Sequence, residues 1–421
     1  MKIMVVGGGG REHAIIQKIK ENPAVEVIYA LPGNAGMRDD AVCVNIGAKD
    51  LDGIVAFAQE NKIDYAVVAP DDPLVLGAVD RLSEIGIPCF GPEAKAAIIE
   101  GSKIFSKNLM KKYGIPTAAY EVFTELGAAL AYLDTCDYPT VVKADGLALG
   151  KGVVIAMNRD EAIDAVRSMM EDRTFGDSGS RVVIEEFLTG PEVSVLAFTD
   201  GKVVKPMISS MDHKRALDGD QGLNTGGMGT IAPNPYYTED IAAQCMKEIF
   251  LPTIDAMNAE GRTFRGCLYF GLMLTPKGPK VIEYNCRFGD PETQVVLPLL
   301  ESDLLTVMKA CTNGTLAETE VRFSEKSACC VIMASGGYPK AYENGFEITV
   351  EDGMDAKIYF AGAKEKDGAL VTAGGRVLGV TAVGNCLACA IAASYENVKK
   401  INFAHAHYRR DIGKRAMEAL K

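Results

Sequence analysis

The sequence predicts a multidomain protein that combines an α/β domain with α+β domains. Its 421 residues exceed what one hydrophobic core usually organises. Over the first hundred residues, short apolar strands alternate with helices, the pattern of a parallel sheet covered by helices on its faces. From Gly114 onward strands dominate, and a further set of strands with a closing helix follows residue 325. We therefore expect three domains, at residues 1–102, 103–325 and 326–421.

The first domain begins with the strand "KIMVVG" and the helix "REHAIIQKIKEN", and the same alternation continues to "IPCFGP". In a parallel sheet of this kind, ligands bind beyond the carboxyl ends of the strands. Those ends carry Gly7–Gly10, the turn Pro32–Gly36 and the turn Pro70–Pro73. This edge of the sheet is the predicted binding edge.

The second domain is predicted to open with a lysine-rich helix over Ser102–Tyr113. A small α+β subdomain follows, at about residues 117–190, with the strands "PTVVKAD", "GVVIAM" and "RVVIEEFL" and the helix "RDEAIDAVRSMMED". Longer strands such as "GCLYFGLMLT" and "PKVIEYN" complete this domain. The third domain is predicted as mixed α/β, from the strand "SACCVIMASGG" to the final helix.

The composition excludes several classes of protein. A net charge of −12 argues against nucleic acid as a partner, because phosphate backbones attract clustered Lys and Arg. No apolar run approaches the ~18 residues of a membrane span, and no signal peptide opens the chain, so we expect a cytoplasmic protein with reduced cysteines and no membrane partner. Cys386 and Cys389 form a Cys-x-x-Cys motif in an alanine-rich, helix-like stretch, and we interpret them as core cysteines, not as a redox or zinc site.

A first glycine-rich loop, "VVGGGGREHA", joins a strand to a helix, where free amide groups can hold a phosphate. It departs from the dinucleotide fingerprint, because Glu12 occupies the third glycine position and the next strand ends without an acidic residue. We favour a phosphorylated or amine-bearing substrate at Gly9, Gly10, Arg11 and Glu12. A nicotinamide cofactor and a simple turn are the alternatives.

A second glycine-rich loop, "KADGLALGKGV", joins two strands. It is not a Walker motif, because three residues separate Gly146 from Gly150 and Gly152 stands where Ser or Thr is required. Glycines in a strand–strand connection let backbone amides fold over phosphates as a flap. With Lys143 before the loop and Lys151 inside it, the pattern predicts a triphosphate site.

Two acidic strands follow this loop along the chain. "VVIEEFLTGPE" holds Glu185, Glu186 and Glu192. The backbone N–H and C=O groups of such a strand can bind the edge of a base, and a carboxylate a few residues on can accept hydrogen bonds from ribose hydroxyls. In "VIEYNCRFGDPETQ", alternation along a strand places Glu283, Asn285 and Arg287 on one face. The carboxylate and amide oxygens predict a site for a divalent metal bound to phosphates, either Mg²⁺ or Mn²⁺.

The order of these features resembles the ATP-grasp superfamily. Longer strings are similar to the phosphoribosylamine–glycine ligase (glycinamide ribonucleotide synthetase) family: "GGREHA", "PGNAG", "KADGLALGKGV", "DHKRALDGDQGLNTGGMG", "VIEYNCRFGDPETQ" and "YRRDIG". The resemblance implies a Rossmann-like substrate domain, an ATP-grasp core with a small lid, and a C-terminal domain. It also implies that ATP, glycine and 5-phosphoribosylamine yield glycinamide ribonucleotide, ADP and phosphate through glycyl phosphate, in purine biosynthesis.

The resemblance also implies roles for particular residues. Arg287, Lys214 and Asp290 are the expected catalytic residues, with Arg287 on the glycine carboxylate. The expected substrate contacts are the first glycine-rich loop and four further residues: Asp212, Asn224, Gly226 and Gly227. The expected ATP contacts are Lys103, Lys143, Gly150, Lys151, Gly152, Glu185, Glu186, Phe187, Leu188 and Glu192. We expect His405 and His407 to be structural, and Arg409 and Arg410 to help shape the sugar-phosphate side.

Three other functions remain open at this point: a related ATP-dependent ligase or carboxylase with another acceptor, a nucleotide-binding regulatory module without turnover, and an oxidoreductase. The oligomeric state is also open, with a monomer slightly favoured.

Overall fold

The computed structural model describes residues 1–147 and 152–421, and it has the predicted mixture of α/β and α+β architecture. The N-terminal region alternates strands and helices as expected. Its elements are β1 (Lys2–Gly7), α1 (Gly10–Ile19), β2 (Val27–Pro32), β3 (Val42–Cys43), α2 (Leu51–Glu60), β4 (Tyr65–Val68), α3 (Asp71–Val75), α4 (Ala78–Glu84), β5 (Cys89–Phe90) and α5 (Ala94–Gly101). The strands form a parallel sheet in the order β3-β2-β1-β4-β5, so the predicted parallel sheet is confirmed.

The next region contains the lysine-rich helix and the small subdomain. Its elements are α6 (Lys103–Tyr113), β6 (Tyr120–Phe123), α7 (Leu126–Tyr132), β7 (Thr140–Ala144), β8 (Val153–Ala156), α8 (Arg159–Met170) and β9 (Val182–Glu186). Ser102 caps α6 by accepting a hydrogen bond from the Phe105 N–H. The antiparallel sheet β6-β9-β7-β8 carries α7 and α8, which pack around Val142, Val166 and Ile184. We had not predicted α7.

The following region supplies the long strands of the second domain. Its elements are β10 (Glu192–Thr199), β11 (Val204–Pro206), β12 (Met211–Asp212), β13 (Arg215–Leu217), β14 (Gln221–Asn224), β15 (Gly229–Ala232), α9 (Glu239–Cys245), α10 (Leu251–Ala259), β16 (Gly266–Thr275), β17 (Gly278–Asn285), α11 (Thr293–Leu299) and α12 (Leu304–Asn313). A π-helical turn over Met246–Phe250 joins α9 to α10. The four strands β11-β10-β16-β17 form one antiparallel sheet.

The C-terminal region is mixed α/β, as predicted. Its elements are β18 (Ser327–Ser335), β19 (Thr349–Val350), β20 (Lys357–Phe360), β21 (Ala363–Lys366), β22 (Ala369–Thr372), β23 (Arg376–Gly384), α13 (Leu387–Val398), β24 (Ile401–Asn402), β25 (Ala406–His407) and α14 (Lys414–Ala419). Its main sheet runs β12-β15-β18-β23-β20, with β25 also paired to β18. This sheet therefore combines strands from both sides of residue 325.

The C-terminal region also corrects one prediction. Cys386 and Cys389 are exposed at the start of α13 and are joined by a disulfide, so the expectation of core cysteines was wrong. The buried face of α13 includes Leu387, Ala390 and Ser394, at the three- and four-residue spacing of a helix face. The two cysteines each precede a buried position by one residue, so they lie outside this face.

The described residues contain no helix that is long and apolar enough to cross a bilayer.

Candidate active site

Strand β17 positions the two predicted metal ligands. A bulge next to Val281 shifts its register against β16, so that Glu283 lies opposite Gly271 and Asn285 opposite Tyr269. Tyr284 is buried on the other face, while Glu283 and Asn285 are half-buried. A Cβ on Gly271 would lie 3.0 Å from the Glu283 Cγ, so the glycine leaves room for this carboxylate. The structure thus brings the two predicted oxygen ligands onto one face of the strand.

Positive side chains surround the Glu283 carboxylate. The Lys214 Nζ lies 4.0 Å from its Oε1. Burial raises the pKa of the Glu283 carboxyl, but Lys214, Lys143 and Lys103 outweigh burial and leave the pKa lowered. Burial lowers the pKa of Lys103, whose Nζ donates a hydrogen bond to the Gly146 carbonyl at 2.9 Å. Three predicted lysines from different elements therefore converge on one ionised carboxylate.

A buried ion cluster joins α6, β7 and β9. The Glu185 Oε2 lies 3.0 Å from the Lys143 Nζ and 3.1 Å from the Lys107 Nζ, and all three side chains are at most 6% exposed. Lys107 also donates to the Thr117 hydroxyl at 2.8 Å. Among the described residues, the Glu185 Oε1 is buried without a hydrogen-bond partner. Our sequence reasoning placed Glu185 in this region but missed Lys107, which is one helical turn beyond Lys103.

The second glycine-rich loop leaves β7 beside this cluster. Asp145 ties the loop to the start of α6, because its Oδ1 accepts hydrogen bonds from the Ser102 hydroxyl at 2.8 Å and from the Ile104 N–H at 2.9 Å. The Gly152 carbonyl accepts from the Ala144 N–H at 2.9 Å and closes the strand pair. The predicted ATP contacts Gly150 and Lys151 lie outside the described residues. The strand–loop–strand arrangement is present on both sides of them.

The segment after β9 presents polar groups next to the cluster. Glu186 binds Lys280 at 3.3 Å, and Phe187 and Leu188 follow it in a half-buried turn. Within the described part of the chain, the N–H groups of Phe187 and Leu188 donate to no protein acceptor. Glu192, at the start of β10, accepts a hydrogen bond from Lys214 at 3.0 Å. The four predicted residues therefore lie beside the lysines, and we refer to the region between these residues and the first glycine-rich loop as the cleft.

The first glycine-rich loop forms the opposite side. The Glu12 carboxylate accepts from the Gly9 N–H at 2.6 Å and from the Arg11 Nε at 2.6 Å, so it caps α1 from a buried position. The Arg11 N–H donates to the Asp290 Oδ2 at 3.4 Å, and the backbone of Gly9 faces the same carboxylate. The predicted substrate residues Gly9 and Arg11 are therefore brought next to the predicted catalytic residue Asp290, whereas the Glu12 carboxylate binds groups of its own loop.

Arg376 at the start of β23 completes this side, and the sequence reasoning missed it. Its NH1 donates to the carbonyl oxygens of Gly226 at 2.8 Å and Asp290 at 3.0 Å, and it forms an ion pair with the Asp290 carboxylate at 3.3 Å. Gly227 has a φ of +113°, and a Cβ there would lie 2.4 Å from Pro291 and 2.7 Å from the Asp212 Oδ1. A glycine is thus required where this loop approaches Asp212.

Lys214 lies among several carboxylates. Glu192 is the main cause of the raised pKa of Lys214. Burial raises the pKa of Asp212, and the nearby Glu292 raises it further. Glu292 is buried and accepts hydrogen bonds from the Ser194 and Tyr269 hydroxyls, both at 3.2 Å. Lys214 therefore pairs with Glu192 and lies near Asp212, whose raised pKa favours its protonated form.

Arg287 does not point freely into the cleft. Its NH2 donates to the Glu100 Oε1 at 2.8 Å and to the Asp71 Oδ2 at 3.5 Å, and its NH1 donates to the Phe288 carbonyl at 3.3 Å. Glu100 also accepts from the Cys286 N–H at 2.7 Å. The predicted two-contact grip of Arg287 on a ligand carboxylate therefore competes with an existing protein ion pair.

The motif "YRRDIG" holds the hairpin β13–β14 at the edge of the cleft. Arg409 is 1% exposed and donates to Asp220 at 2.8 Å and to the Arg215 carbonyl at 3.1 Å. The His407 ring lies 2.7 Å from the Ala216 carbonyl, which gives this histidine a structural role. Asn224 lies in the same hairpin, paired with Arg215, away from the contacts of Asp290.

Comparison with known proteins identifies the family. Family models described as phosphoribosylglycinamide synthetase match this chain over residues 1–100 (N domain), 101–293 (ATP-grasp, A, domain) and 328–415 (C domain). The chain belongs to the phosphoribosylglycinamide synthetase family.

Individual relatives of the family are similar over their full length. A phosphoribosylamine–glycine ligase of Halalkalibacterium halodurans is 49% identical over 99% of this chain and 97% of its own. One from Caldanaerobacter subterraneus subsp. tengcongensis is 47% identical over 98% of this chain and 99% of its own. A crystal structure of phosphoribosylamine–glycine ligase from Thermotoga maritima superposes with a TM-score of 0.88 at 35% identity, covering 98% of this chain and 100% of that chain.

Membership of the phosphoribosylglycinamide synthetase family confirms the resemblance drawn from the sequence and places the chain among ATP-dependent ligases of the ATP-grasp type. The oxidoreductase alternative is therefore wrong. Four charged residues at the cleft were not among the predicted site residues: Lys107, Asp145, Glu292 and Arg376. Lys107, Asp145 and Glu292 are charged residues inside motifs already singled out, which is the signal that could have revealed them. Arg376 stands in "TAGGRVLG" with no such signal.

Proposed function

We propose that this chain joins glycine to 5-phosphoribosylamine with ATP, giving glycinamide ribonucleotide, ADP and phosphate. The convergence of Lys103, Lys143 and Lys214 on Glu283 is the observation that carries the proposal. An anionic nucleophile that attacks a triphosphate needs positive groups fixed in advance, because catalysis of phosphoryl transfer consists mainly of positioning and charge stabilisation. The family membership supports the same substrates.

In the proposed first step, an oxygen of the glycine carboxylate attacks the γ-phosphorus of ATP, the bond to the β,γ-bridging oxygen breaks, and ADP leaves. In the second step, the amine of phosphoribosylamine attacks the carbonyl carbon of glycyl phosphate, the bond from this carbon to the phosphate oxygen breaks, and phosphate leaves with the proton that the amine nitrogen loses as the amide forms. Lys103 and Lys143 hold the triphosphate together with the second glycine-rich loop, which includes Gly150, Lys151 and Gly152. The N–H groups of Phe187 and Leu188 face the edge of adenine, beside Glu185 and Glu186, and Glu192 lies at the ribose.

Glu283 and Asn285 fit a divalent cation, Mg²⁺ or Mn²⁺. They are adjacent half-buried oxygen ligands on one strand face, and the pKa of Glu283 is lowered, so the carboxylate is ionised. No group of three His, Cys, Asp or Glu side chains within residues 1–147 and 152–421 is placed to hold a metal ion, so phosphate oxygens and water complete the proposed shell. A bound cation would neutralise charge on the triphosphate.

The first glycine-rich loop and the loop of Gly226 and Gly227 form the proposed phosphoribosylamine site. Asp290 lies between them and is suited to an ammonium or amine group, with Asp212 and Asn224 at its margin. Arg287 adds positive potential beneath the acyl phosphate while its NH2 group stays paired with Glu100.

The proposed domain boundaries are residues 1–102, 103–325 and 326–421, with a lid at about 117–190. Nine of the eleven cysteines are free thiols, as expected in a reducing compartment, and we propose the cytoplasm as the location.

Phosphate release tests this function. We expect release only when ATP, glycine and phosphoribosylamine are all present, and no release when bicarbonate replaces glycine. Glu283→Gln should lose at least about 100-fold in kcat with an unchanged far-UV spectrum, because a preorganised electrostatic contact contributes about that much. Glu320→Gln is the matched control, since this carboxylate is 72% exposed and, among the described residues, forms an ion pair with Arg322 alone. Bicarbonate-dependent release, or wild-type turnover of Glu283→Gln, would overturn the proposal.

A further inference from the structure

Cys386 and Cys389 differ from every other cysteine of the chain. Both are exposed, and a disulfide joins them across the first turn of α13. The other nine cysteines are free thiols, of which Cys43 and Cys136 are partly exposed and the remainder are buried. The proposed ligase reaction uses neither Cys386 nor Cys389.

The two sulfurs occupy chemically different positions. Cys386 is the N-cap of α13, and its Sγ accepts a hydrogen bond from the Cys389 N–H at 3.1 Å. A thiolate at this position would keep that hydrogen bond and would lie at the positive end of a helix of twelve residues. Such surroundings lower the pKa of a cysteine and favour it as the leaving group in thiol–disulfide exchange.

We propose that Cys386 and Cys389 form a thiol–disulfide exchange site that reacts with exposed dithiol reductants. The reductant's thiolate attacks the Cys389 Sγ, the Cys386–Cys389 bond breaks, and Cys386 leaves as a thiolate. The second thiolate of the reductant then attacks the reductant's first sulfur, which is bonded to the Cys389 Sγ in the mixed disulfide, and Cys389 is released as a thiolate. The protein disulfide gains two electrons and two protons, and the dithiol becomes a disulfide. Oxidation by a disulfide reverses the same steps.

Two features of Cys386 and Cys389 favour reversible thiol–disulfide exchange over a purely structural disulfide. Both sulfurs are accessible, and disulfides in a reducing compartment are usually catalytic or redox-sensing, not structural. The site is also separate from the cleft. Strand β23 runs from Arg376 at the cleft to Gly384 just before the cysteines, and its nine residues span roughly 30 Å.

Alkylation of the native full-length protein tests the exchange. The protein is reduced with dithiothreitol or oxidised with glutathione disulfide, the small molecules are removed, and N-ethylmaleimide is added without denaturant. We expect the reduced protein to carry two more labels than the oxidised protein, both in the peptide with Cys386 and Cys389. Equal labelling of the two forms, or a difference that maps to other cysteines, would overturn the proposal.

Single variants test the assigned chemistry. In Cys389→Ser, the alkylation rate of Cys386 should reach half its maximum at least one pH unit below the ~8.5 of an ordinary cysteine. In Cys386→Ser, Cys389 should titrate nearer the ordinary value. Cys136, which is partly exposed, serves as the internal reference in both proteins. A Cys386 that titrates with Cys136 or above it refutes its role as the leaving thiolate.

Discussion

Glu185 and Glu186 are neighbours on β9, but the structure predicts very different results when either is changed to Gln. Glu185 is 4% exposed and lies between Lys107 and Lys143, which are 3% and 6% exposed. Removing one member of a buried ion cluster usually costs about 3–5 kcal/mol, because the remaining charge is left buried without a partner. Glu186 is 48% exposed and pairs with Lys280, so its removal should cost about 0–1 kcal/mol.

The expected loss for Glu185→Gln is near the lower end of that range. Burial already lowers the pKa of Lys107 to about 8, so this lysine can lose its proton when Glu185 is removed. Removing the proton of Lys107 at pH 7, one unit below this pKa, costs about 1.4 kcal/mol. This cost is smaller than that of keeping the lysine charged and buried without a partner. We therefore expect Glu185→Gln to lose about 3 kcal/mol at pH 7 and less at pH 9.

Urea unfolding without nucleotide measures this difference. The chain contains no tryptophan, so far-UV circular dichroism and limited proteolysis of the small subdomain are the suitable probes. Glu186→Gln is the matched control on the same strand. Loss of an exposed ion pair changes the free energy of unfolding by at most about 1 kcal/mol. If the free energies of unfolding of the two variants differ by no more than this, Glu185 does not stabilise the fold through a buried ion cluster.

Two further predictions concern neighbouring contacts. Because the pKa of Lys107 is lowered to about 8, this lysine binds more protons in the unfolded than in the folded chain between pH about 8 and 10.5, and its contribution to stability rises with pH there. Lys107→Met removes this contribution, so the stability of the variant relative to wild type should fall across that range in thermal unfolding. Arg409→Ala removes the contacts of a buried arginine with Asp220 and with the Arg215 carbonyl, so the hairpin β13–β14 should loosen. Trypsin should then cleave within residues 215–224 faster than in Arg410→Ala, whose side chain is exposed, and equal cleavage in the two variants would contradict this role of Arg409.

Much of the candidate site was predictable because its residues lie in local patterns. Alternation along β17 placed Glu283 and Asn285 on one face, and the bulge next to Val281 did not disturb that pair. The glycine-rich loops were predictable for the same reason, since strand–glycine–helix and strand–glycine–strand connections are local. The Cys-x-x-Cys motif was misjudged because composition was weighed above periodicity. The spacing of Leu387 and Ala390 shows that the cysteines leave the buried face.

The amino-acid sequence alone determined the alternation of strands and helices, the family, and the strands and loops that carry the lysines and acids, because each depends on residues close together in the chain. Tertiary structure alone decided which charges meet. Arg376 reaches Asp290 across 86 residues, and Arg409 reaches Asp220 across 189. Such pairs form only when separate elements pack and exclude water, and burial then requires each charge to find a partner. For this reason Arg287 binds Glu100 in the folded chain, and Lys107 joins Glu185 at the proposed nucleotide side of the cleft.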